Sequence, residues 1–233
     1  MRELSRLVRR RIDLAKEPRR DGGWTLVEMI VSMGIFTMLL AITFTIIVEY
    51  SLQTKDNLAR TRSVDQAQVG LMQLDRQVRS GNVISDPALE TATRSGVPPY
   101  YSLRVYTQTD GVYQCVQWRV YFPTGKTTGQ LQFRSWRPGA VSTTTPWSTT
   151  ARDLVKPPTG TINAADPTTW PPFFVQSNDA ETSSQAQTIR VTLRLKDPEQ
   201  RESSKPATVT STLTGRNTIF GYPSDMCGVV PAP

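Results

Sequence analysis

The chain contains no histidine, which removes imidazole bases, His-ligated metals and both Ser-His-Asp and Cys-His nucleophiles. Two cysteines, Cys115 and Cys227, are too few for a zinc finger or a disulfide-dense scaffold. Gly125-Lys126-Thr127 has the ending of a phosphate-binding loop. Its first glycine would have to stand where Val120 is, and the segment joins two expected strands, so a hairpin turn is the better reading. Asp166, Asp179 and Glu181 are loop acids without the ligand spacing of a calcium site. No G-x-S-x-G, H-E-x-x-H, C-x-x-C or paired-acid motif occurs. We therefore expect no catalysis, no metal and no cofactor. One ionisable residue stands out by its place: Glu28 lies inside an otherwise apolar run.

That run, Leu26–Val48, is 23 residues long with Glu28 as its only ionisable group. It is long enough to cross a bilayer core of about 30 Å as a helix. Residues 1–23 carry eight Lys/Arg against four acids, so more than half of the net charge of +7 precedes the run. The positive-inside rule puts this flank in the cytoplasm and the remainder on the exported side of a single-pass membrane protein. A cleavable secretory signal would have a shorter apolar region and an A-x-A-like site, and TIIVEYSLQT offers none. An unpaired charge at a membrane-helix centre costs about 2.5–3.5 kcal/mol on insertion scales, so Glu28 needs a partner.

A basic leader, Gly22-Gly23, then W-T-L-V-E with the acid five residues past Gly23, then an unbroken apolar helix, resembles the processing signal of type IV pilin-like proteins. The resemblance covers about residues 20–48 and implies cleavage by prepilin peptidase between Gly23 and Trp24, with N-methylation of Trp24. Trp24 departs from the family's usual phenylalanine or methionine. The new α-amine would partner the Glu28 carboxylate, within one chain or between staggered subunits, making Glu28 an assembly register. The plain alternative is a signal anchor whose Glu28 reaches the near interface. L-M-Q-L-D-R-Q-V-R-S-G at Leu71–Gly81 and T-G-R-N at Thr214–Asn217 resemble segments of the larger minor pilins and of the J-type pseudopilins of type II secretion.

The elements that would position this signal follow from proline usage. Of 17 prolines none falls between Arg19 and Asp86, and Val64, Ala67, Leu71, Leu74 and Val78 recur at helical spacing. We expect one helix over 24–80, with transmembrane segment 26–48 and a second half packed on the protein's own sheet. Ser102–Gln108, Val112–Phe122, Gln130–Trp136, Gln187–Lys196 and Ala207–Leu213 read as strands, the first two joined at Thr109-Asp110-Gly111. Residues 81–233 would form a strand-rich exported head, with a proline-rich loop over 138–172. Trp136, Trp147, Trp170, Phe173 and Phe174 are candidate anchors for that loop. Strands following the helix as a block imply an α+β fold with an antiparallel sheet.

Bonded, Cys115 and Cys227 would close a loop of about 100 residues and clasp a tail poor in apolar anchors. Unbonded, Cys115 would be a buried core thiol. The expected function is a low-copy minor pilin or pseudopilin of a type IV pilus or type II secretion pseudopilus. Its partners would be prepilin peptidase, other subunits, the lipid bilayer, and an inner-membrane assembly platform with a separate ATPase. It would reside first in the bacterial cytoplasmic membrane, then in a surface or periplasmic filament. The alternative is a monomeric, signal-anchored surface binding protein. A DNA-uptake role would rest only on the head's mild positive charge, and nucleic acid is not an expected partner.

Overall fold

Helix α1 (Leu26–Arg79) precedes every strand among the described residues. The computed structural model describes residues 23–157, 160–163, 165–178, 186–215, 223 and 225–233. The leader before Gly23, the acids Asp179 and Glu181, and Arg216-Asn217 of the C-terminal motif lie outside them. The described residues divide into two units, one ending at Ser51 and one starting at Leu52.

In the first unit the α1 residues Leu26–Val48 form a mainly apolar surface, with Leu26, Met33 and Phe36 each more than 60% exposed. In the second unit α1 is amphipathic. Ala59, Ser63, Ala67, Gly70, Leu71, Leu74 and Val78 are buried; of the stripe read from the sequence, Ala67, Leu71, Leu74 and Val78 are among them, whereas Val64 is half-buried and Ser63 is buried beside it. Gly70 is a close-approach position, since a Cβ there would lie 3.0 Å from the Leu131 side chain and 3.3 Å from the Thr150 hydroxyl. The expected stop at Ser80-Gly81 is observed, and the chain turns directly into a strand.

The sheet contains β1 (Gly81–Ile84), β2 (Ser102–Thr109), β3 (Val112–Tyr121), β4 (Thr128–Trp136), β5 (Ser148–Val155), β6 (Phe173–Asn178), β7 (Ala186–Leu195) and β8 (Ala207–Thr214). All pairings are antiparallel, in the order β1-β2-β3-β4-β5-β7-β6, with β8 along the other flank of β7. The fold is α+β, a long N-terminal helix followed by an antiparallel sheet, as expected. Ala67, Leu71, Leu74 and Val78 pack with Leu103, Val105, Trp118, Leu131, Ile189 and Leu193 of the sheet in one apolar cluster.

Three strands escaped the sequence reading. β1 is only four residues long, and β6 begins directly after Pro171-Pro172. β5 lies inside the segment expected to be a loop, where Ala151 and Leu154 are buried and pair with the β4 residues Leu131 and Gly129. Asp153 interrupts their alternation with φ 59°, which disguises the strand. Gly125-Lys126-Thr127 is the β3–β4 connection, as the turn reading required, with Gly125 at φ 75°.

Candidate functional site

Gly23, Trp24 and Thr25 precede the first helical residue, so the helix starts two residues later than the expected Trp24. Thr25 caps it. The Thr25 hydroxyl accepts from the Glu28 backbone N–H at 3.2 Å, and the Thr25 carbonyl accepts from Met29 N–H at 3.1 Å. T-L-V-E thus has the spacing of a capping box, a local signal that was present in the sequence and went unread there. Glu28 sits in the first turn, where a carboxylate faces the positive end of the helix dipole. Trp24 is 70% exposed. The first part of the helix is apolar and long enough to cross a membrane, and its most apolar stretch is not buried.

The cysteines mark a second constellation, in the head. Cys115 and Cys227 are disulfide-bonded, with Cα atoms 5.7 Å apart. Cys115 belongs to the sheet face opposite the helix, and two of that face's three rows are polar. Its cross-strand rows are Tyr106–Cys115–Trp136, Arg104–Gln117–Arg134 and Ser102–Arg119–Gln132. All nine residues are buried, although alternation with apolar neighbours would ordinarily turn such a row to solvent. The cover is partly the tail, residues 225–233. Arg104 donates to the Cys227 carbonyl at 2.6 Å, and Arg134 donates to those of Pro231 and Ala232 at 2.9 and 2.5 Å.

Among the described residues, only the first of these guanidiniums has a carboxylate partner. Arg104 pairs with Glu90 at 2.8 Å, and both groups are buried. Burial pushes the Glu90 carboxyl up and the Arg104 guanidinium down, each opposed by their mutual attraction. Arg134 is pulled down to about 10 by burial and then by Arg119 nearby. Gln117 accepts from Arg134, Gln132 accepts from Arg119, and the Trp147 ring lies 3.7 and 4.3 Å from the Arg119 and Arg134 guanidinium carbons. Trp136 packs beside the disulfide and Phe173 is core, whereas Trp170 stacks on Arg190 at 3.7 Å. Asp166 is a turn cap that accepts from Thr168 N–H. Among the described residues no three metal-ligating side chains cluster.

Residues 18–44 match the family model of the prokaryotic N-terminal methylation motif, spanning Gly23, Trp24 and Glu28. The chain carries a type IV pilin-like signal. No curated protein and no solved structure matches it. The signal and the apolar helix that follows fit a single-pass, membrane-anchored protein.

Proposed function

We infer that the chain is a non-enzymatic minor subunit of a type IV pilus or type II secretion pseudopilus. Prepilin peptidase would cut it between Gly23 and Trp24 and methylate the new amine at Trp24. The observation that carries this reading is the methylation motif over residues 18–44, followed by an apolar helix and an antiparallel head. Cleavage would supply the cation that a membrane carboxylate at Glu28 requires. Between staggered subunits that pairing would turn a costly charge into an assembly register. Force for assembly would come from a separate ATPase acting through an inner-membrane platform. The leader would stay cytoplasmic and the head would be exported.

The size of the head supports a low-copy place. A shaft subunit repeated in every layer must pack its head closely, and residues 81–233 include eight strands with long connections. Such bulk is easier to place at a tip or in an initiation complex, beside other minor subunits. Quantitative proteomics of sheared, purified filaments tests this reading. It predicts that the chain is present at a small fraction of the major subunit. Finding it as the most abundant subunit contradicts the minor role, and finding it only in membranes contradicts incorporation.

A further inference from the structure

Beside the covered polar face, the head holds an unfilled cleft of about 500 Å³. Its walls are Val97, Pro98, Tyr101, Val120, Tyr121 and Phe122, three of them aromatic. That volume and lining are those of ligand sites, in which apolar walls give affinity and a few polar groups give orientation. The rings are fixed by their neighbours. Tyr101 and Phe122 meet edge to face at 6.2 Å between centroids, and the Arg119 guanidinium lies 4.5 Å from the Tyr121 centroid.

The polar groups at this cleft have one sign. Lys156 lines it with its ammonium 5.5 Å from the Phe122 centroid, and no acid among the described residues contributes to the lining. Among the described residues no carboxylate pairs with Lys156. Arg119, buried behind Tyr121, does not line the cleft and spends its bonds on the Gln132 side chain and the Ser95 carbonyl. A cation at one end and aromatic walls beside it select an aromatic group that carries negative charge. The cleft opens to solvent, which suits a side chain held on another polypeptide.

We propose that this cleft docks a segment of a partner protein presenting an aromatic side chain next to an acidic one. The ring fills the space between Tyr101, Tyr121 and Phe122, and the carboxylate meets Lys156. The cleft belongs to the head alone, so the proposal holds whether or not the chain polymerises.

The test uses the full chain in detergent micelles and three blocked peptides containing Phe-Glu, Phe-Gln or Ala-Glu, with binding read by saturation-transfer NMR. Phe-Glu should bind, Ala-Glu should lose the signal, and Phe-Gln should bind about two- to fivefold more weakly, the span of an exposed ion pair. Lys156→Glu should weaken Phe-Glu and abolish its advantage over Phe-Gln. Pro98→Trp, at an exposed wall position, should fill the cleft and remove binding while circular dichroism stays unchanged. The two variants share the micelle, so partition of peptide into detergent cannot mimic this pattern. A signal that survives both variants, or no signal from Phe-Glu on the unmodified chain, overturns the proposal. Free N-acetylphenylalanine binding as tightly as Phe-Glu overturns the partner segment in favour of a small aromatic acid.

Discussion

The Glu28 carboxylate sits in the first turn of α1, and its own N–H is held by the Thr25 hydroxyl. The backbone contact does not need the Glu28 side chain, so substitution separates helix capping from charge pairing. Glu28→Ala should leave membrane insertion and cleavage intact, because removing a charge makes insertion easier. Incorporation should fall, because the Trp24 amine loses its partner. Recovery of the variant in sheared filaments at the unmodified level would contradict the register. In the head, Arg104→Ala strands Glu90 as a buried, unpaired acid and frees the Cys227 carbonyl. It should cost about 3–5 kcal/mol, read as a lowered urea midpoint of tryptophan fluorescence. Neither the pair nor the polar rows were legible in the sequence. Arg104 and Arg119 stand between apolar neighbours as they would on a solvent-facing strand, and nothing local announces that a tail more than 90 residues further along lies on Arg104 and Arg134.

At the scale of elements, α1 was legible because one proline-free stretch and one 3–4 spacing determine it, and β7 because its alternation is unbroken. β5 was not, because the positive φ at Asp153 breaks its pattern and its burial comes from β4. Two tertiary clasps invite tests. Cys115–Cys227 closes a loop with a sequence separation of 112, so Cys227→Ser should cost about 4–5 kcal/mol by the chain-entropy model. A denaturant midpoint unchanged from the oxidised protein would show that the arginine contacts alone hold the tail. The second clasp is Asp56 on α1, whose carboxylate accepts from Arg201 N–H at 2.9 Å and from the Ser204 hydroxyl at 2.8 Å. These bonds hold the Asp56 carboxyl below its usual value. A depressed carboxylate stabilises above its unfolded pKa, about 3.9, and that contribution disappears as pH falls through the native value. Docking of the β7–β8 connection should therefore persist at neutral pH and be lost in acid. Asp56→Ala should speed trypsin cleavage after Arg201 at neutral pH, and an unchanged rate would mean that Asp56 does not hold the loop.

For the whole molecule, the sequence carries its function at one end and its architecture at the other. The signal is legible because a basic flank, Gly23, an acid at fixed distance and an apolar run must coincide within a short stretch, each for a reason in membrane physics. The head's surfaces are not legible in this way, since the cleft beside Tyr121 is assembled from three separate segments of the chain. The central claim is that the chain is a processed filament subunit rather than an intact anchored protein. Mass spectrometry of the membrane-bound form tests it most directly. The account predicts a mature N-terminus at Trp24 carrying one added methyl group, and a chain that retains Met1–Gly23 would contradict it.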